Sequence, residues 1–332
     1  MAYPRDRAQT AQQCLYDPRA EHDACGVGFV ATLEGEQKDV LRLALTSLQN
    51  LGHRGAKASD GRSGDGCGVM TAIPTAFFHR VMAEMGLPRS SLDDCLRRGD
   101  REEGSLAVGV FFFPREDQEA QARCRRIAEA AFARERLRFL GWRPVPVNPQ
   151  ALGAWAATSR PAIVHALLAP PAGEGPQEFE RRLYRARRIA EHEARQAGFS
   201  SREFYVASLS SRTIVYKGLL TVDQLPAFYL DLQDPEYQTP FAIYHQRYST
   251  NTLPAWQRAQ PFRMLAHNGE INTLQGNVHW MKAREADLAA EPWRNIQREL
   301  RPVIDVDGSD SAMLDNVLEL LTLSGRDIRH AV

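Results

Sequence analysis

Cys25 opens a strand-like run, Cys25-Gly26-Val27-Gly28-Phe29, directly after a polar and irregular leader. A thiolate is a nucleophile. If the leader were cleaved, the α-amino group of Cys25, with a pKa near ~7.7 to 8.0, would be a built-in base matched to neutral pH. Standing alone, a lone cysteine is more often a buried structural residue. His267-Asn268-Gly269 sets a side-chain amide beside a backbone N–H, both able to point at a developing oxyanion. Asn-Gly is also the commonest two-residue hairpin turn, which is the competing reading. Arg247 shares strand parity with Phe241, Ile243 and His245, so it sits either among inward-facing groups or at the mouth of a site. An arginine there suits a carboxylate ligand, and a rim salt bridge is the equal alternative. Asp310, in Gly308-Ser309-Asp310-Ser311 ahead of an apolar run, fits a helix N-terminus, where acids are stabilised.

Other chemistries drop out by inspection. His192-Glu193-Ala194-Arg195-Gln196 lacks the second histidine of a zinc helix, and Gly64-Asp65-Gly66-Cys67-Gly68 lacks the Lys-Ser/Thr ending of a phosphate loop. Asp305, Asp307, Gly308 and Asp310 lack the spacing and terminal Glu of an EF-hand. Cys14, Cys25, Cys67, Cys95 and Cys124 form no C-x-x-C pair, so no structural zinc, iron–sulfur or disulfide framework is expected. Lys plus Arg and Asp plus Glu both total 41, which leaves no electrostatic case for nucleic acid or an anionic membrane. The longest apolar run, Leu106 to Phe113, is far short of the ~18 residues or more that cross a bilayer. The leader has no apolar core of a secretory signal, so the cytoplasm is the expected compartment.

These groups must be positioned by ordered elements, and 332 residues suffice for two domains or one large one. The pattern predicts a strand from Cys25 to Ala31 and a helix through Val40 to Leu48. It then predicts a Gly-rich loop, and strands over Val69–Ile73 and Leu106–Phe113. Helices are predicted over Glu119–Arg138, Phe179–Ala197 and about Met313–Leu321. In the second of these Arg181, Arg182, Arg185 and Arg188 lie off the apolar stripe as a solvated face. Phe204–Leu209 and Thr213–Tyr216 read as a β-hairpin, and Phe241–Tyr248 and Phe262–His267 as two further strands. Helices set between runs of strands favour mixed α and β with antiparallel sheets.

Taken together and in order, the motifs resemble class II glutamine amidotransferase domains, those of glutamate synthase large chains in particular. The resemblance rests on the Cys25 run, Leu51-Gly52-His53-Arg54-Gly55-Ala56, Gly64-Asp65-Gly66-Cys67-Gly68 and His245-Gln246-Arg247-Tyr248-Ser249-Thr250-Asn251-Thr252. It continues through the stretch from Arg258 to Thr273, with Gly276-Asn277, Gly308-Ser309-Asp310-Ser311 and Leu314-Asp315-Asn316. It implies an α+β, four-layer αββα N-terminal nucleophile hydrolase fold over residues 25–332, preceded by a cleavable propeptide, 1–24. It also implies that Cys25 is the nucleophile and that Asn268 and the Gly269 N–H form an oxyanion hole. Arg247 would bind the α-carboxylate of L-glutamine and Asp310 its α-ammonium, and Arg54 would order the pocket. Cys67 stands where the family usually has Ala, and Gln246 where Ser is more usual. No cofactor is implied within this chain. FMN and an iron–sulfur cluster belong to the synthase domains or partner, and a small electron-donating subunit would complete the assembly. A stand-alone amidotransferase subunit feeding a separate synthase, and a non-catalytic remnant serving as an interaction surface, are the alternatives.

Overall fold

The computed structural model describes residues 26–33, 38–87, 106–248, 253–288 and 290–332. The expected leader, 1–24, and Cys25 lie outside them. Among the described residues, eight strands form two antiparallel four-stranded sheets. The first has the order β1-β8-β2-β7, with β1 Val27–Ala31, β8 Phe241–Gln246, β2 Cys67–Ala72 and β7 Thr213–Gly218. The second has the order β4-β5-β3-β6, with β4 Arg138–Pro144, β5 Ala162–Ala169, β3 Ala107–Phe113 and β6 Tyr205–Ser210. The longer helices are α1 Lys38–Asn50, α2 Thr75–Glu84, α3 Gln118–Arg134, α4 Pro176–Gln196, α5 Leu274–Glu285 and α6 Asp310–Leu323. Two antiparallel sheets surrounded by helices agree with the α+β expectation.

Burial explains the layers. Every residue of β3 is buried, so this central strand has apolar neighbours on both faces, a pattern that needs packing above and below. On one face Phe111 and Phe113 meet Phe132 of α3, Trp142 and Phe204, and α4 adds Phe179, Leu183 and Ala190 to the same core. On the other, Val108, Val110 and Phe112 share a core with Val69 and Tyr216 of the first sheet. Each fully buried ring contributes about 1.5–3 kcal/mol relative to exposure. The start of α3 is fixed by Asp117, whose side chain accepts the Ala120 N–H, and that of α6 by Ser309, which accepts the Ala312 N–H.

Three expectations are corrected. The Phe204–Leu209 and Thr213–Tyr216 strands do not pair with each other: β6 pairs with β3, and β7 with β2. Both strands are buried on both faces, so each needs a sheet around it, and Ser210-Ser211-Arg212 turns the chain between the sheets. Buried Glu180 of α4 holds that corner by accepting from the Ser211 N–H and the hydroxyls of Ser210 and Ser211. The segment Phe262–His267 is not a strand. Its N–H groups are satisfied locally or by side chains, Phe262 by the Leu265 carbonyl, Met264 by the Asp315 carboxylate at 2.6 Å and His267 by Gln260 Oε1 at 2.8 Å, so no sheet neighbour is required. The arginine face of α4 is not solvated either. Arg188 donates to the carbonyls of Leu300 and Pro302, Arg185 pairs with Glu135 and Glu178, and fully buried Arg187 pairs with Glu191 and Glu319. The periodicity left α2, β4 and β5 unread, because short runs beside Pro and Gly carry little periodic signal.

Candidate functional site

Four distant segments converge at the end of β8, the strand between β1 and β2. Its last residue, Gln246, donates its N–H to the Gly26 carbonyl at 2.6 Å, and the Arg247 N–H donates to the Gly66 carbonyl at 2.6 Å. The first bond ties this point to the residue after Cys25, the second to the Gly64–Gly68 loop. Crowding explains the small residues. A Cβ on Gly26 would lie 2.8 Å from the Gln246 carbonyl oxygen and 3.0 Å from Asn268 Oδ1, and one on Gly55 would lie 1.8 Å from Gln246 Nε2. Gly66 adopts φ +127°, a left-handed conformation that suits glycine.

Asn268 and Gly269 are exposed, with the Asn268 side chain against Gly26. The loop that carries them is irregular but pinned. The His267 N–H goes to Gln260 Oε1, the His267 carbonyl accepts from Gln260 Nε2 at 2.9 Å, and His267 Nδ1 meets Ser311 Oγ at 2.9 Å. Beyond Gly269, the Ile271 N–H donates to Asp310 Oδ2 at 3.0 Å. Asp310, 4% exposed, is the first residue of α6 and also accepts from the Ser311 N–H and hydroxyl. A carboxylate has about four acceptor positions, so three donors leave one for a ligand.

Arg247 follows the strand with φ +96°, uncommon for a residue with a side chain. Its Nε lies 3.3 Å from Asp65 Oδ2, close enough for an ion pair without hydrogen-bond alignment. The guanidinium is 43% exposed and Asp65 7%. Burial raises the Asp65 carboxyl above its ordinary value, with Arg247 opposing. His245, one side-chain step back on β8, is buried, and desolvation holds its imidazole down to about 4. Arg54 stands exposed on the turn Gly52–Arg54, brought near by Gly55, but makes no hydrogen bond or ion pair to the other site residues among those described. Thus Arg247, Asn268, Gly269 and Asp310 are brought to one place, Arg54 to its margin, and Cys25 lies outside the described residues, one residue before Gly26. Asp65, His245 and Gln260 were quoted in motifs without a role. Their part is set by burial and by tertiary hydrogen bonds, for which a single sequence has no signal. Among the described residues no group of His, Cys, Asp and Glu could hold a metal ion, and no helix is long and apolar enough to cross a membrane.

This arrangement offers an arginine for a carboxylate, an amide and a backbone N–H side by side, and an anchored acid. The family model of glutamine amidotransferases class-II matches residues 25–332, and the chain belongs to that family. It is 43% identical over 94% of its length to the glutamate synthase [NADPH] large chain of Azospirillum brasilense. It is likewise 43% identical over 94% to the ferredoxin-dependent glutamate synthase, chloroplastic, of Oryza sativa subsp. japonica. It is 42% identical over 94% to glutamate synthase [NADH] of Saccharomyces cerevisiae. The chain spans 20%, 19% and 14% of these relatives, about a fifth of their length or less.

Proposed function

We propose that the chain is the glutaminase part of a glutamate synthase, with residues 25–332 as the amidotransferase domain and 1–24 as a cleaved propeptide. The Cys25 thiolate attacks the side-chain amide carbon of L-glutamine, and its α-amino group takes the thiol proton and passes a proton to the leaving nitrogen. The C–N bond breaks to give ammonia and a thioester, which water cleaves to glutamate. Asn268 and the Gly269 N–H stabilise the oxyanion, Arg247 holds the α-carboxylate, Asp310 the α-ammonium, and Arg54 orders the margin. The placement of the Asn268 side-chain amide beside Gly26 carries this reading, because it sets that group near the residue next to Cys25. The ammonia would pass to 2-oxoglutarate at a synthase site with FMN and an iron–sulfur cluster in the same or a partner chain, served by a small electron-donating subunit in the cytoplasm. The relatives' names and the fraction of them that this chain spans support a glutamate synthase context for the domain.

The test is an intact-mass spectrum before and after incubation with a glutamine-analogue electrophile. Loss of residues 1–24 and one adduct on Cys25 is the expected result. A processed chain that hydrolyses glutamine but carries its adduct elsewhere would overturn the assignment.

A further inference from the structure

The imidazole of His245 lies between the two halves of the site. Its Nδ1 is 2.9 Å from the Arg247 carbonyl and its Nε2 is 3.2 Å from the His267 carbonyl. A neutral imidazole has one N–H for these two acceptors. The His267 carbonyl already accepts from Gln260 Nε2, whereas among the described residues the Arg247 carbonyl has only the His245 ring as a donor. The proton therefore belongs on Nδ1, bonded to Arg247. That bond spans two residues and closes over the one position in the site where a residue with a side chain is held at positive φ. With the Arg247 N–H on Gly66 and its carbonyl on His245, the strained residue is fixed on both sides. Strain of this kind persists only where neighbours over-determine it, and it gathers at ligand clamps.

We propose that His245 is a positioning residue: it holds the Arg247 backbone in its left-handed conformation and so aims the guanidinium at the substrate carboxylate, setting selectivity for substrates that carry one. The proposal rests on the reading of Arg247 given above. It predicts that loss of the Nδ1 donor weakens recognition of the α-carboxylate and leaves the chemical step alone.

The experiment compares His245→Ala, His245→Asn and His245→Gln on L-glutamine and on L-glutaminamide, whose α-amide carries no charge. Rates are referred to the number of sites labelled by a glutamine-analogue electrophile. The Asn side-chain nitrogen takes the place of Nδ1, and Gln reaches toward Nε2. For L-glutamine, His245→Ala and His245→Gln raise KM about tenfold, the worth of one hydrogen bond to positioned backbone, with kcat per labelled site within about threefold. His245→Asn restores KM to within about threefold of wild type. On L-glutaminamide all three match wild type. Selectivity unchanged in His245→Ala, or no rescue by Asn, overturns the proposal, as does a loss confined to the number of labelled sites, which is what a purely structural role gives. In the unsubstituted protein, ¹⁵N resonances of the ring must report the Nδ1–H tautomer, and the Nε2–H tautomer overturns the proposal even where variants fail to fold. A wild type with no preference for L-glutamine over the amide would instead refute the reading of Arg247 itself.

Discussion

Gly26→Ala tests the site's geometry most directly. The added Cβ would sit 2.8 Å from the Gln246 carbonyl oxygen, which is backbone, and 3.0 Å from Asn268 Oδ1, which is the end of a side chain. The strand contact resists and the amide yields, so the variant stores strain against Gln246 and displaces Asn268. Overpacking of this kind costs about 1–3 kcal/mol of stability. A catalytic group moved by about 1 Å costs roughly 10²-fold in rate, and loss of one oxyanion donor costs on the order of 10² to 10³. Gly26→Ala should therefore lose about 10² in kcat, close to Asn268→Ala, with KM little changed. Independent losses would multiply to 10⁴ or more in the double variant. If both act through one amide, the double variant loses no more than about 10³, while the stability cost of the methyl remains. The assay is glutamate release per labelled Cys25, alongside urea melts of all four proteins. Gly26→Ala turning over within about threefold of wild type would refute the reasoning, and so would losses that multiply.

Arg247→Lys keeps the charge but loses the planar fork, and should raise KM for L-glutamine about 10- to 100-fold with a smaller effect on kcat; steady-state kinetics with unchanged KM would contradict the assignment. Asp310→Asn puts an amide donor against the N–H groups of Ile271 and Ser311, which should cost about 1–3 kcal/mol in urea denaturation and raise KM as the oxyanion loop loosens. Acid should act on His245 as follows. Its folded value is about 4 against 6.5 for an ordinary histidine, so between those limits the unfolded chain binds the extra proton and stability falls with pH, by about 2 kcal/mol at pH 5. Burial raises the carboxyls of Asp65, Glu180 and Asp315, whose protonation favours the fold as pH falls. The comparison is consequently wild type against His245→Asn, and the stability gap between them must shift by about 2 kcal/mol in favour of the variant from pH 7 to pH 5.

Sequence reading succeeded where the period is clear: β1, β3, α1, α3 and α4 follow from apolar alternation and stripes. The motifs named Asn268, Gly269, Arg247 and Asp310, whose roles rest on the proposal above. It failed where tertiary partners replace local ones. Ser210-Ser211-Arg212 has the composition of a hairpin turn, yet only Glu180, thirty residues earlier and buried, decides that the chain changes sheets there. Arg185 and Arg188 fall on a polar-looking helix face, yet Arg185 pairs with Glu135 and Glu178, and Arg188 donates to the distant carbonyls of Leu300 and Pro302. Asp65 was visible only as a letter in a glycine-rich loop. Its meaning, a buried charge beside Arg247, depends on a contact across more than 180 positions.

The loop from Gln260 to Asn272 differs in kind from the sheets on which it rests. A ladder hydrogen bond has identical neighbours on both sides, so one defect is shared along the strand. Here three backbone sites each have their own side-chain partner: Gln260 for His267, Asp315 for Met264, Asp310 for Ile271. Removing one partner leaves one group unpaired, a cost of about 1–3 kcal/mol, without releasing the core beneath. On the proposed roles of Asn268 and Gly269, precision in the oxyanion donors thus depends on residues that contribute little to the cores of the two sheets. Substitutions at Gln260, Asp310 and Asp315 should accordingly cut the rate per labelled site more than they lower the melting midpoint. Core changes such as Phe111→Leu should do the reverse, since Phe111 is buried in the core against Phe132 of α3.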